Sequence, residues 1–202
     1  MLAAVAASLG DAALLYVVNA RRPELGLPPA PGGLLIVGFY LGVLALPLYG
    51  LGYWHVAAGL RRDDPRGARR VFALGAYGGA LGAAVHGVTA HVIRAEEMAG
   101  VPPGDPLTVV GQHGAFLVPL WIVLTLMTIA GSTIYSRAVL AGRSAFPRWM
   151  AFLNPALMLV VTGLVALPSL WLRAFLLPAA PNLVHAVFFA AATRVRAGDG
   201  AS

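Results

Sequence analysis

Four polar residues that lie deep inside long apolar segments are the first candidates for chemistry in this chain. They are Asp11, His86, Asn182 and His185. At about 1.5 Å of rise per helical residue, each lies roughly 12 Å or more from the nearer end of its segment, and so near the centre of a bilayer. An ionisable side chain at that depth is costly, so it normally faces the interior of a helix bundle and has a polar partner. We therefore expect these side chains to point into one interior cavity.

Three of the apolar segments carry a pair of polar residues three positions apart. The pairs are Ser8 with Asp11, His86 with Thr89, and Asn182 with His185. Because residues at i and i+3 lie on the same face of a helix, each pair predicts a polar stripe. Three stripes at similar depth indicate a shared pocket. The alternative is a hydrogen-bond network that only ties the helices together, with each bond worth about 0.6 kcal/mol.

The residue types in this layer are suited to general acid/base chemistry. Burial away from water favours the neutral form of a carboxyl group, so Asp11 is expected to hold a proton and act as the acid. Histidine titrates near neutrality, so His86 or His185 is expected to act as the base. Asn182 and Thr89 are expected to orient the substrate or a water molecule. Further candidates for contact with the substrate, nearer the two membrane interfaces, are His113, Asn154 and Tyr53.

A metal or haem site is the alternative use of these residues, although no cofactor is predicted. The chain has five histidines and no cysteine, so imidazole and carboxylate groups would have to hold the metal. His86 and His91 are five positions apart and do not share a helix face, unlike the i, i+4 pair of a helical metal motif. One mixed ligand set stays open as an alternative: Asp11, His86, His113 and His185.

The elements that must position these residues are membrane-spanning helices. Of the 202 residues, 59% are hydrophobic and 11% are charged, whereas a soluble domain carries about 25% charged residues. A span needs about 20 apolar residues, so we predict a single all-α transmembrane domain over residues 1–202. The six predicted spans lie near residues 2–19, 33–60, 71–94, 107–136, 149–170 and 174–193.

The placement of arginine predicts the orientation of the bundle. Every basic residue is an arginine, and short arginine-rich loops stay in the cytoplasm. Ten arginines share one side: Arg61, Arg62, Arg66, Arg69, Arg70, Arg137, Arg143, Arg148, Arg194 and Arg196. Four fall on the other side: Arg21, Arg22, Arg94 and Arg173. Both termini are therefore predicted to face the cytoplasm from a multi-pass position in the plasma (inner) membrane, and the basic charge reflects these loops rather than nucleic-acid binding.

Glycines at helical spacing in spans two and three predict close contact between helices. The pairs are Gly38 with Gly42, Gly75 with Gly79, and Gly78 with Gly82. Such patterns of small residues let helix backbones approach closely. Packing inside one bundle is the favoured interpretation, and a homo-oligomer interface is the alternative.

Several stretches of the chain together resemble a known membrane protein family. They are Gly10-Asp11, residues 40–55, His86-Gly87, residues 146–155 and residues 181–189. This combination resembles a prokaryotic family of six-span membrane proteins that is defined only as a domain of unknown function. The resemblance covers nearly the whole chain. It implies a six-span bundle and draws attention to the same polar residues, and it implies no activity.

The leading functional hypothesis is an intramembrane enzyme that applies acid/base chemistry to a hydrophobic lipid or isoprenoid-type substrate, as an isomerase or cyclase does. Its expected partners are membrane lipid and a hydrophobic small molecule. The alternative is a proton-conducting transporter or channel, or a lipid-binding membrane subunit without catalysis. In that case polar groups would continue to both faces, through His55, Asn154, His91, Gln112 and His113.

Overall fold

The computed structural model describes residues 1–98, 100 and 114–199, which form a bundle of α-helices. The helices are α1 (Leu2–Asn19), α2 (Leu34–Ala45), α3 (Tyr49–Leu60), α4 (Pro65–Met98), α5 (Gly114–Leu140), α6 (Pro155–Ala166) and α7 (Leu170–Asp199). Short 3₁₀ helices lie at Pro23–Leu25, Leu46–Leu48 and Arg148–Leu153. No strand occurs among the described residues, and the predicted all-α fold is confirmed.

Five helical segments in the described part of the chain are long and apolar enough to cross a membrane. They are α1, the α2–α3 segment Leu34–Leu60, α4, α5, and Leu170–Val195 of α7. These segments agree with five of the six predicted spans. The segment predicted near residues 149–170 differs, because it folds as a 3₁₀ helix followed by the 12-residue helix α6. A helix of that length rises about 18 Å, less than the roughly 30 Å of a hydrocarbon core.

Prolines mark the breaks in two of these segments. Pro47 lies in the 3₁₀ turn between α2 and α3, because proline has no N–H group to continue helical hydrogen bonding. Pro155 is the first residue of α6, and the preceding Asn154 accepts a hydrogen bond from the backbone N–H of Leu157 (3.0 Å). An N-cap followed by proline starts a new helix. The apolar segment near residues 149–170 is therefore not one continuous helix.

Contacts between α1 and α7 show that these two helices are antiparallel. Asn182 of α7 contacts Asp11 near the middle of α1, and Ala174 at the start of α7 contacts Asn19 at the end of α1. The first turn of α1 therefore lies beside the last turns of α7. We call this the terminal end of the bundle. The shared position of the two helix ends agrees with termini on one side of the membrane, and the cytoplasmic assignment stays a prediction.

The arginine-rich loops also lie at the terminal end. The His55 ring, near the end of α3, contacts the carbonyl oxygen of Ala192 in α7 (Nε2 to O, 3.4 Å). The loop after α5 joins the end of α3, because the Ala145 N–H donates to the carbonyl oxygen of Gly59 (2.8 Å). The one-sided distribution of arginine predicted from the sequence is therefore present in the folded bundle.

Glycines bring α1, α2 and α4 close together. A Cβ atom on Gly10 of α1 would lie 2.9 Å from the carbonyl oxygen of Gly38 and 2.9 Å from the backbone nitrogen of Gly42. These distances are too short for any side chain. Gly79 of α4 lies in the same way against the backbone of Leu46. These glycines therefore pack helices of one chain against each other.

Candidate functional site

Asp11 and His86 form the centre of a polar network between α1 and α4. The Oδ1 atom of Asp11 lies 3.2 Å from the Nδ1 atom of His86. The Asp11 side chain is 15% exposed and the His86 side chain is 5% exposed, so the bundle encloses most of both groups. The imidazole fits there because Gly42 of α2 lacks a Cβ atom, which would overlap the ring.

The second nitrogen of His86 determines where hydrogens lie on the ring. Its Nε2 atom lies 3.0 Å from the carbonyl oxygen of Gly38, which can only accept a hydrogen bond. Nε2 therefore carries a hydrogen and donates it. The other ring nitrogen faces Asp11, so a hydrogen bond between Asp11 Oδ1 and His86 Nδ1 requires one proton on either atom. The pair is a neutral acid beside a neutral imidazole, or a carboxylate beside an imidazolium ion.

Asn182 of α7 and Tyr49 of α3 extend the network from the other oxygen of Asp11. The Asn182 Nδ2 atom donates to Asp11 Oδ2 (2.6 Å), and the Tyr49 hydroxyl donates to Asn182 Oδ1 (2.6 Å). Because Tyr49 holds the amide oxygen, the N–H₂ group of Asn182 must face Asp11. Asp11 Oδ2 therefore accepts a hydrogen bond, and the proton of the pair lies on the Oδ1 side.

A second pair, His185 of α7 and Tyr53 of α3, lies one helical turn from the first group. The Nδ1 atom of His185 lies 2.5 Å from the carbonyl oxygen of Pro181, so Nδ1 carries a hydrogen. In the neutral ring Nε2 is then an acceptor, and the Tyr53 hydroxyl donates to it (2.8 Å). The centroids of the Tyr49 and His185 rings are 5.1 Å apart. The two groups are thus in direct ring contact.

A cavity of about 180 Å³ lies beside Asp11 and His86. We call it the first cavity. Its polar wall comes from Asp11, His86, Thr89 and Asn182, and apolar side chains of α1, α4, α5 and α7 form most of the rest. Apolar lining residues from three of these helices include Leu14, Leu117, Trp121 and Pro178. A dry cavity of about 150 Å³ is large enough for benzene, so the first cavity has room for one small apolar group.

A second cavity of about 60 Å³ is bordered by α3, α4, α5, α6 and α7. Its polar wall comes from Tyr49, Tyr53, Thr128, Asn182 and His185. Asn182 lines both cavities, so the two spaces adjoin at this side chain. The glycine face of α4 forms part of the wall through Gly75, Gly78, Gly79 and Gly82. Space of this size beside hydroxyl and imidazole groups is enough for a few water molecules.

Most of the residues singled out in the sequence meet around the two cavities. They are Asp11, His86, Thr89, Asn182, His185 and Tyr53. Thr89 lines the first cavity, but its hydroxyl donates to the carbonyl oxygen of Val85 one turn back in α4 (2.8 Å). Ser8 similarly donates to the carbonyl oxygen of Ala4 (2.8 Å). In two of the three predicted stripes, the hydroxyl group of Ser8 or Thr89 therefore donates its hydrogen bond within its own helix.

Asn154 is a predicted contact residue that is not found at the cavities. Asn154 caps α6 through its side-chain oxygen, and its amide nitrogen donates to the carbonyl oxygen of Ala151 (2.8 Å). The amide thus joins the 3₁₀ helix Arg148–Leu153 to the start of α6, and Asn154 lines neither cavity. His113 lies outside the described residues, as does Gln112.

The arrangement of the histidines bears on the metal and haem alternative. In the part of the chain that the structure describes, no group of three or more histidine, aspartate or glutamate side chains is arranged to hold a metal ion. Both ring nitrogens of His86 and both of His185 have hydrogen-bond partners in the protein. A metal or a haem iron would have to displace one of these partners.

Tyr49 is the network residue that the sequence analysis did not single out. It is 3% exposed, and it holds the amide of Asn182 in place. A signal for it exists in the sequence, because Tyr49 and Tyr53 are four residues apart and lie on one face of α3. Gly42 was predicted as a packing residue, and it also leaves the space for the His86 ring.

The fold and the site define a polytopic helical membrane protein with a buried acid–imidazole pair beside an apolar cavity. The chain belongs to DUF6796, a family of unknown function, whose family model matches residues 34–195. The match includes His86, Asn182 and His185, whereas Asp11 precedes it. No curated protein and no solved structure matches the chain. The resemblance to a family of unknown function is confirmed, and its prokaryotic range and six-span count stay predictions.

Proposed function

We propose that this protein is an intramembrane enzyme that moves a proton to and from a hydrophobic substrate of lipid or isoprenoid type. The observation that carries the proposal is the 3.2 Å contact between Asp11 Oδ1 and His86 Nδ1 at the wall of an apolar cavity. Asn182 donates to the far oxygen of Asp11. This hydrogen bond holds the carboxyl group so that its other oxygen, Oδ1, faces His86.

The reaction class that suits this arrangement is a proton shift along a carbon chain, as in double-bond isomerisation. The pair gives its shared proton to one carbon of a C=C bond, and the π electrons form the new C–H bond. The carbocation then loses a proton from a neighbouring carbon to the pair, and the electrons of that C–H bond form the new double bond. The pair is restored and no other reactant is consumed. A cyclisation begins and ends with the same two proton transfers.

The walls of the first cavity favour a hydrophobic substrate. Apart from Asp11, His86, Thr89 and Asn182, the lining consists of apolar side chains and glycine. No arginine lines the cavity among the described residues. A phosphate or carboxylate group would find no free cationic partner there, and burial of an unpaired charge is costly. The part of the substrate that reaches Asp11 is therefore uncharged.

Lipid that co-purifies with the protein is the starting material for the test. The extracted lipid is returned to the purified protein, and products are identified by mass spectrometry and by the position of the double bond. Asp11→Asn keeps both hydrogen bonds but transfers no proton, so turnover is expected to fall by about 10²–10⁴-fold. Asp63→Asn, at an exposed position in the loop after α3, is the matched control and is expected to keep full turnover.

Thermal unfolding of the same variants in detergent separates chemistry from structure. If Asp11 is the acid, the melting temperature of Asp11→Asn stays close to that of the unmodified protein while turnover is lost. If Asp11 only ties helices together, Asp11→Asn keeps its turnover, and Asp11→Leu, which loses both hydrogen bonds, lowers the melting temperature while turnover of the folded fraction is kept. Full product formation by both Asp11→Asn and His86→Ala would refute the proposed enzymatic function.

Proton conduction is a second candidate function, and the adjoining cavities favour it. Asn182 lines both cavities, and the Tyr53–His185 pair lies beyond it along α7. Farther toward the terminal end, the His55 ring contacts Ala192. Polar groups thus extend from the middle of the bundle toward one face. Liposomes that contain the purified protein and an internal pH-sensitive dye would report proton flux, which Asp11→Asn should abolish if this function is correct.

A further inference from the structure

Helix α5 presents two adjacent stripes of side chains, and Trp121 belongs to both. The stripe that lines the first cavity consists of Leu117, Trp121 and Leu124. The stripe that lines a groove of about 360 Å³ on the outer face of the bundle consists of Val118, Trp121, Ile122, Thr125 and Leu126. Residues spaced by three and four positions lie on one helix face. Trp121 therefore stands at the boundary between the cavity and the groove.

The boundary between α5 and α7 lies beside Trp121, and we call it the seam. Around the first cavity, α1 packs on α7 and α4 packs on α5, whereas the described backbones of α5 and α7 approach each other closely at few positions. These two helices meet farther toward the terminal end, where the rings of Tyr135 and Phe188 are in edge-to-face contact with their centroids 5.1 Å apart. Pro178 and Pro181 of α7 line the cavity on the other side of this seam. None of the described residues of α6 lines the first cavity. At this level the cavity wall therefore passes directly from α5 to α7.

The first cavity is too small to hold a whole lipid. Its volume of about 180 Å³ is only slightly larger than the roughly 150 Å³ that accommodates benzene. A lipid that reacts at Asp11 must leave most of its chain outside the cavity. The groove on α5 is twice as large and mostly apolar, with Val118, Ile122 and Leu126 exposed, and Trp121 lines both spaces.

We infer that the first cavity opens sideways into the bilayer through the seam between α5 and α7, beside Trp121. The cavity receives the hydrocarbon end of a single-chain lipid, and the rest of the chain lies in the groove on α5. This inference rests on the proposed function and deepens it by stating the substrate class and its route. The substrate comes from the bilayer rather than from water.

The depth of the seam determines which end of the lipid enters. Trp121 lines the same cavity as Asp11, which lies near the middle of α1, eight residues or about 12 Å of helix from its nearer end at Asn19. In a hydrocarbon core roughly 30 Å thick, this position is near the centre. Lipid chains have their methyl ends at that depth and their headgroups at the interface. The methyl end can therefore enter the cavity while the headgroup stays in the interface.

Photochemical crosslinking tests this route. The full-length protein is reconstituted in phosphatidylcholine vesicles that contain palmitic acid with a diazirine at its methyl end, and irradiated. Adducts are then mapped by mass spectrometry. We expect adducts on Leu14 and Leu15 of α1, which line the first cavity and are 4% and 8% exposed. Val56 and Leu60 are fully buried and line neither cavity, so they are expected to stay unmodified.

The second measurement repeats the crosslinking with a variant in which a side chain fills the first cavity. Gly82 lines the first cavity, and a Cβ atom there makes ordinary contacts with Leu46 at 3.6 Å, so Gly82→Leu places a side chain in the cavity without a backbone clash. Gly163→Leu on α6 is the matched control, since no atom lies within 4 Å of its added Cβ. Gly82→Leu is expected to lose the adducts on α1 and keep those in the groove. Gly163→Leu is expected to keep both sets.

Three outcomes decide the inference. Adducts confined to lipid-facing side chains, with Leu14 and Leu15 unmodified, would overturn it. Adducts on α1 that persist in Gly82→Leu would also overturn it, because they would not come from the cavity. Adducts on α1 that disappear only in Gly82→Leu would support it. Asp11→Asn is expected to keep these adducts whether or not it loses turnover, so failure of the entry route is distinguishable from failure of the proposed reaction.

Discussion

The imidazole ring of His86 occupies the space that a Cβ atom on Gly42 would fill. The absence of a side chain at Gly42 is therefore what allows the ring to lie between Asp11 and the carbonyl oxygen of Gly38. A glycine of α2 thus positions the proton-sharing pair of α1 and α4. The same residue contributes to helix packing, because a Cβ atom on Gly10 would collide with its backbone.

We predict that Gly42→Ala displaces the His86 ring and destabilises the protein by about 1–3 kcal/mol, the usual cost of overpacking a tight interior. Unfolding by denaturant in mixed micelles measures this change. Gly78→Ala is the matched control on α4, where the nearest atom to the added Cβ is a methyl group of Leu124 at 3.7 Å. Since alanine favours helix by up to about 1 kcal/mol over glycine, Gly78→Ala should be neutral or stabilising. Equal stability of the two variants would contradict the close packing of the His86 ring against Gly42.

Tyr49 and Tyr135 provide a comparison between a hydroxyl that has a partner and one that does not. The Tyr49 hydroxyl donates to Asn182, whereas the buried Tyr135 hydroxyl has no hydrogen-bond partner among the described residues. Tyr49→Phe leaves the amide oxygen of Asn182 unpaired, so we expect a loss of about 1–3 kcal/mol. Tyr135→Phe removes an unpaired polar atom from the core and is expected to be neutral or stabilising. Melting temperatures of the two variants measure the difference.

Turnover distinguishes the role of Tyr49 from simple stability. If Tyr49 holds the Asn182 amide toward Asp11, Tyr49→Phe should lower turnover of the folded protein, while Tyr135→Phe should not. A Tyr49→Phe variant with full turnover would show that Asp11 does not depend on the orientation of that amide.

Asn154 is expected to act in stability and not in substrate binding. Its side-chain oxygen caps α6 by accepting from the Leu157 N–H, so Asn154→Ala should cost about 1 kcal/mol. Asn154→Asp keeps the accepting oxygen and should retain most of the stability. Thermal unfolding checks both variants. A change in apparent substrate affinity without a change in melting temperature would show that Asn154 acts in substrate binding.

Reporter fusions test the topology. We expect a reporter at Ser202 to give a cytoplasmic signal, because the arginine-rich loops lie at the terminal end of the bundle and such loops stay in the cytoplasm. A reporter inserted after Gly32, in the loop between α1 and α2, should give a signal from the other side. Reversed signals would show that the bundle has the opposite orientation in the membrane. Signals on the same side would contradict a membrane-spanning α1.

The polar layer could be predicted from the sequence because depth and helix face are local properties. Counting residues from the ends of apolar segments was sufficient to bring Asp11, His86, Asn182 and His185 together as candidates. Asn154 shows the limit of such counting. Its position near a membrane interface suggested a contact residue, but the proline that follows it makes it a helix cap. The same proline explains why the segment near residues 149–170 contains a short helix instead of a full span.

From the sequence alone one can predict an all-α membrane bundle, five segments that are long and apolar enough to cross the bilayer, and the polar groups that lie near its centre. Hydropathy and the fixed rise of the α-helix are sufficient for these conclusions. Which side chains meet depends on the packing of the helices. Asp11 and Asn182 are 171 residues apart in the chain, and their contact depends on how α1 and α7 pack. Tyr49 and Gly42 gain their roles from the same packing, because a hydrogen-bond partner and a space for a ring exist only once the helices are assembled.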